Sequence, residues 1–158
     1  MKLVIRAGSV IRRGPERELI DDYVNRARLL TRQVGFTSLE EQQVDLRNCK
    51  TRKDETEHLL GQDLSKSLGK IVVLDERGKS LTSRAFSKQL ARWRDDGEPQ
   101  ITFLIGGADG FEPDALPQGA TLWSFGAQTW PHKLVRVLLA EQVYRALSIL
   151  AGTPYHRD

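Results

Sequence analysis

At 158 residues the chain is long enough to bury a core without disulfide or metal staples. Hydrophobic residues make up 39% and charged residues 28%, an ordinary globular mix, and no apolar run approaches the ~20 residues of a membrane-spanning helix. The single cysteine, Cys49, excludes an internal disulfide and a cysteine-based zinc site, while 24 Lys+Arg against 21 Asp+Glu leave a net charge of +3 that leans towards a phosphate-bearing partner without establishing one.

The apolar stretch at the start is broken by Arg6 and is too short for a signal-peptide core, so a cytoplasmic protein is expected. Leu3-Val4-Ile5 reads as a short buried strand. Gly14-Pro15 opens a helix with Glu16 and Glu18 in its first turn and Leu19, Ile20, Tyr23, Val24, Ala27 and Leu30 as its apolar stripe. Residues 36–46 are strand-like but partly polar, which suits a sheet edge. Thr51 to Leu68 reads as a second helix, with Leu59, Leu60, Leu64 and Leu68 on one side. Ile71-Val72-Val73-Leu74 has the composition of a strand covered on both faces, and Asp75 to Ser80 reads as a polar turn. Thr82 or Ser83 can cap a third helix whose apolar side is Phe86, Leu90 and Trp93. A second buried strand, 101–105, runs into glycines; a short segment near 112–117 and a strand near 121–125 follow. Pro131 starts a long last helix through about Leu150.

This alternation predicts an α/β fold, a parallel sheet flanked by helices on both faces, in one domain over residues 1–158. The last helix is apolar nearly all round, from Leu134 and Val135 to Ile149 and Leu150. Such a helix requires cover on every side, and in a chain this small a subunit interface is the natural cover, so a homodimer is expected.

Four motifs carry candidate chemistry. Gly106-Gly107-Ala108-Asp109-Gly110 follows a buried strand directly, where a sharp turn lets backbone approach a ligand at the strand's carboxyl end. Gly78-Lys79-Ser80 invites a phosphate-loop reading, but Val73 occupies the required upstream glycine position. Ser124 to His132 is a small, flexible connection whose backbone groups could meet a flat, polar-edged ligand, with Phe125 or Trp130 packing nearby. Arg136, Glu141 and Arg145 are polar residues in an apolar helix; Glu141 and Arg145 have ion-pair spacing, which fits a structural bridge and a substrate site equally well. Tyr155-His156-Arg157 lies at the end of the sequence, where a loose tail is the default. Basic clusters at Arg12-Arg13, at Arg26, Arg28 and Arg32, and at Lys50, Arg52 and Lys53 are individually more often solvated faces than binding sites.

Taken together these residues resemble the ribosomal RNA large-subunit methyltransferase H family, pseudouridine N3-methyltransferases of the SPOUT superfamily. The resemblance runs the whole length. It is carried by Leu74-Asp75 with Gly78-Lys79, by Ile-Gly-Gly-x-x-Gly at 105–110, by Pro131-His132 with Leu134, Arg136-Val137, Glu141-Gln142 and Tyr144-Arg145, and by Tyr155-His156-Arg157. The N-terminal third matches in layout only, and Trp130 stands where the family carries an aliphatic residue or Phe.

The resemblance implies an α/β knot, in which the C-terminal segment threads a loop to form a trefoil. It implies S-adenosylmethionine as cofactor, held by Leu74, Gly106 and Phe125-Gly126-Ala127-Gln128-Thr129-Trp130, and no metal. It implies methylation of large-subunit ribosomal RNA on the assembled ribosome by a homodimer, with the tail of one subunit completing the site of the other. His156 would position or deprotonate the target base, with Tyr155 beside it; Arg157, Arg145 and Arg136 would hold phosphate or carbonyl oxygens, and Glu141 would orient an arginine. A SPOUT enzyme for another ribosomal or transfer RNA nucleotide, a non-catalytic ribosome-binding factor, and a flavodoxin-like nucleotide binder are the alternatives.

Overall fold

The computed structural model describes residues 1–65 and 69–157. The end of the expected second helix, with Leu68, lies outside the described residues, as does the side chain of Leu64. Among the described residues, five strands, β1 (Lys2–Gly8), β2 (Ser38–Val44), β3 (Lys70–Ser80), β4 (Gln100–Ile105) and β5 (Thr121–Ser124), form one sheet in the order β2-β1-β4-β3-β5. Every pairing is parallel. The partly polar β2 lies at one edge, as its composition predicts, and the four-residue β5 at the other.

Among the described residues, four helices cover the sheet: α1 (Pro15–Thr31), α2 (Arg52–Ser65), α3 (Ser83–Asp95) and α4 (His132–Ala151). Side chains alternate across each strand and so feed two cores. Leu3, Ile5 and Ala7 of β1, Val72 and Leu74 of β3, and Ile101, Phe103 and Ile105 of β4 pack with α1, α3 and α4. Ile71, Val73 and Leu104 point the other way, against Leu59 and Leu60 of α2. One face therefore carries three helices and the other one.

The helix boundaries follow from local chemistry. Gly14, at φ 106°, turns the chain into Pro15 at the first helical position, and Glu16 and Glu18 meet the positive end of α1. Of the expected stripe, Ile20, Val24 and Ala27 are buried, whereas Leu19 is 45% exposed. The Thr82 hydroxyl accepts from the Ala85 amide at 3.1 Å and caps α3, which buries Phe86, Leu90 and Trp93 as expected. Phe86, Trp93 and Phe103 surround Trp123 at ring separations of 5.0, 5.5 and 6.1 Å, so the short β5 is anchored by one large side chain.

One expected element is corrected. Residues 75–80 are not a free polar turn, because β3 runs on to Ser80 and pairs with β5 beyond a bulge. Leu74 and Lys79 both lie opposite Trp123, so the residues between them bow out of the ladder. Gly78 makes this possible. A Cβ there would come within 2.6 Å of the Leu122 and Trp123 backbone.

Candidate active site

The carboxyl ends of β3, β4 and β5 converge on a cleft of about 380 Å³. One wall is the 105–111 turn, in which Gly107 and Gly110 form an isolated bridge. The opposite wall is the connection from β5 to α4. Gly126, at φ 113°, reverses the chain there, and the Ser124 hydroxyl fixes the reversal by donating to the Gly126 carbonyl at 2.6 Å and accepting from its amide at 3.1 Å. The Thr129 hydroxyl donates to Glu76 at 3.1 Å, tying this wall to the bulge of β3. Of the residues expected to hold the cofactor, Leu74, Gly106, Phe125, Gly126, Gln128, Thr129 and Trp130 line the cleft; Ala127 belongs to the same connection without lining it.

Several lining residues were not singled out as site residues from sequence. The bulge supplies Asp75, Glu76 and Arg77. The Asp75 side chain is only 7% exposed, yet the Arg77 guanidinium clasps it at 2.8 and 2.7 Å and holds its carboxyl below the usual range against the pull of burial. His132, on the first turn of α4, also lines the cleft; burial lowers its pKa, helped by the nearby Arg136 and Lys133. The signal for His132 was the Pro131-His132 pair in the family pattern, which marked the position without assigning a role.

A second hollow of about 460 Å³ lies behind the β5–α4 connection, lined by Leu81, Phe86, Leu138 and Gln142 together with Trp123, Phe125 and Trp130. Beyond it stands a polar cluster on the second half of α4. Glu141 accepts from Arg145 at 2.9 and 2.6 Å and from the Tyr155 hydroxyl at 3.0 Å. The Arg145 guanidinium lies 4.7 Å over the Tyr155 ring and reaches His156 Nδ1 at 3.3 Å. An arginine can only donate, so this contact is a hydrogen bond when Nδ1 is unprotonated, with the ring proton on Nε2. Burial, with Tyr23 and Glu141 alongside, pushes the Tyr155 phenol up, so it stays a donor at neutral pH. Gln142 bridges Glu141 to Ser83 of α3 at 2.6 and 2.7 Å.

Four of the six expected catalytic residues, Glu141, Arg145, Tyr155 and His156, thus come together, and the i, i+4 pair forms as its spacing allows. Arg157 is exposed. Arg136 lies elsewhere, with a side chain 0% exposed, and donates to the Gly8 and Ser9 carbonyls at 3.2 and 2.8 Å and to Gln43 at 3.0 Å. Its two terminal nitrogens are taken by this chain's own oxygens, while its Nε is buried without a hydrogen-bond partner. None of Glu141, Arg145, Tyr155 and His156 lines the cleft, and Glu141 lies about 14 Å of helix axis beyond His132.

The family model described as "Predicted SPOUT methyltransferase" matches residues 1–156. The chain belongs to the SPOUT methyltransferase family. Among relatives of this SPOUT methyltransferase, proteins named ribosomal RNA large subunit methyltransferase H from Maricaulis maris and Hyphomonas neptunium are 49% and 47% identical to it. The first alignment covers 100% of both chains and the second 99% of both. A methyltransferase from Legionella pneumophila, solved with its cofactor SAM bound, is 12% identical, with a TM-score of 0.44 over 96% of this chain and 66% of its own. Among the described residues there is no group of side chains suited to hold a metal ion and no helix long and apolar enough to cross a membrane.

Proposed function

We propose that this SPOUT methyltransferase transfers the methyl group of S-adenosylmethionine to N3 of a pseudouridine in large-subunit ribosomal RNA, acting in the cytoplasm on the assembled ribosome. The observation that carries the reading is end-to-end similarity to proteins named for large-subunit ribosomal RNA methylation. The chain would form one domain, with its C-terminal segment threaded as a trefoil knot behind the β5–α4 connection.

The cleft fits the cofactor's chemistry. A flat heterocycle suits a backbone-lined wall flanked by Phe125 and Trp130, and a cationic ligand suits a rim bearing Glu76, whose partner is the neutral Thr129 hydroxyl. Leu74, Gly106 and residues 125–130 would hold it. The bound cofactor supplies a methyl group already activated on sulfonium. The chain's own task is to orient the acceptor base and accommodate the departing N3 proton. In the Glu141 cluster, Arg145 holds the His156 ring, so its Nδ1 is already engaged, and Tyr155 holds Glu141. That favours His156 as a group that positions the base over one that removes its proton. Arg157 would supply a charge to the RNA.

The separation of cluster and cleft supports a homodimer in which one subunit's tail serves its partner's cleft. So does the apolar outer face of α4, where Leu134 is 39% exposed and Val137 and Leu138 are only partly covered. Tritiated methyl transfer to intact ribosomes, free subunits and transfer RNA, followed by mass spectrometry of the product nucleotide, tests the reading. Label confined to pseudouridine of large-subunit RNA is expected. Label in transfer RNA, or none in any RNA, would overturn it.

A further inference from the structure

Two loops at the carboxyl rim, beside the cleft rather than in it, carry basic side chains that form no ion pair among the described residues. Residues 9–14 follow β1 and residues 45–51 follow β2. They adjoin the cleft, because a Cβ built on Gly8 would lie 3.0 Å from the amide nitrogen of Gly107, one of the cleft's lining residues. Most basic side chains in this quarter are engaged. Arg47 clasps Asp45 at 2.5 Å, Arg52 holds Glu112 at 2.9 Å, and Arg17 is shared by Asp21 and Glu41 at 2.7 and 2.6 Å. Arg12, Arg13 and Lys50 are exposed and, among the described residues, have no such partner.

The first of these loops is also built to stay in place. The Ser9 amide donates to the Val44 carbonyl at 2.8 Å, and the Ile11 amide donates to Gln43 at 2.7 Å. Ile11 is buried at 4% exposure, although it directly precedes two exposed arginines. Beneath, Arg136 grips the carbonyls of Gly8 and Ser9 and the Ser9 hydroxyl. Ser9 itself sits at φ 88°, a conformation non-glycine residues adopt uncommonly, between those anchors. A loop pinned from below that presents adjacent guanidinium groups outward loses little freedom when it meets a polyanion.

From this juxtaposition we infer that Arg12 and Arg13, with Lys50 on the loop that follows the neighbouring β2, form a preset arm that binds phosphates of the substrate RNA beside the methyl-transfer cleft. The inference rests on the proposed RNA substrate and deepens it: on this side of the cleft, phosphate contact falls to these three side chains, while the ion-paired Arg52 and the buried Arg136 make none. Guanidinium groups suit the task because they meet phosphate oxygens through two parallel hydrogen bonds.

Ribosome affinity measured by co-sedimentation over a salt series tests it without requiring methyl transfer. For R12E/R13E the dissociation constant should rise at least about tenfold at moderate salt. The dependence of log affinity on log salt should become shallower by about 1 to 2, the loss expected for one or two phosphate contacts. S-adenosylmethionine affinity by calorimetry and the melting temperature should match wild type. R32E/R92E, the same charge change on exposed residues at the opposite end of the sheet, should leave ribosome affinity within about twofold. If R12E/R13E keeps the wild-type affinity and salt slope, or the control weakens binding equally, the arm does not exist. Wild-type protein that binds ribosomes through these arginines yet methylates nothing would overturn the function and leave the arm standing.

Discussion

Arg136 and Arg145 sit on the same helix, each has a glutamate partner, and both interrupt an otherwise apolar sequence. Their surroundings differ completely. Arg136 is closed in by Glu41, Gln43 and the carbonyls that end β1. Arg145 remains 24% exposed, and its partners are other side chains that could themselves touch a substrate. A charge enclosed by backbone holds the fold, whereas a charge among partly exposed tyrosine, histidine and glutamate is available for chemistry. Identical residue types nine positions apart on one helix therefore carry separate duties.

The largest effect should come from R136M. Removing a buried, multiply bonded cation strips the Gly8 and Ser9 carbonyls of their donor and leaves Glu41 to Arg17 alone, and denaturant titration should record a loss of about 3–5 kcal/mol. An R136M protein as stable as wild type would erase the contrast. E141Q should do the reverse, lowering the methyl-transfer rate about 100-fold while stability changes by less than about 1 kcal/mol and cofactor affinity by less than about twofold. A collapse of cofactor binding in E141Q would join cluster and cleft in a way the present distances do not.

His132, one helical turn before Arg136 on α4, gives a pH signature. Its folded pKa lies below the ordinary imidazole value, so between the two values the unfolded chain binds the extra proton. Stability should decline as pH falls from about 6.5 towards that lower value, and H132N should flatten the decline. A profile identical in the variant would mean that the imidazole is not held in its neutral form. The smallest effect belongs to S124A, which removes the hydroxyl that locks the Gly126 reversal. It should cost about 1 kcal/mol in thermal unfolding and weaken the cofactor a few-fold, by calorimetry.

Much of the fold was legible because the relevant signals were local. The Gly14-Pro15 opening of α1, the Thr82 cap and the β-branched runs of β3 and β4 each depend on neighbours in sequence. The polar edge strand was legible for the same reason. The continuation of β3 was not, since Asp75 to Ser80 has turn composition and becomes strand only because Gly78 lets β5 close against it. The glycine-rich walls of the cleft could be read from sequence, but the Asp75–Arg77 clasp that finishes its rim depends on that same bulge. Spacing could not separate Arg136 from Arg145. Arg136 is enclosed by residues from the first two strands, far away in the chain, whereas Glu141 lies one helical turn from Arg145.

The connection from β5 to α4 is a partition with a hollow on either side, and Phe125, Gly126 and Trp130 face both. Its ties are few: the Ser124 hydroxyl at one end, Thr129 to Glu76 at the other, and no side-chain cap where α4 begins. A thin screen of this kind transmits pressure. A small apolar molecule lodged behind it, against Leu81 and Leu138, would move the Trp130 ring and narrow the front chamber without entering it, which offers inhibitor design a rear entrance.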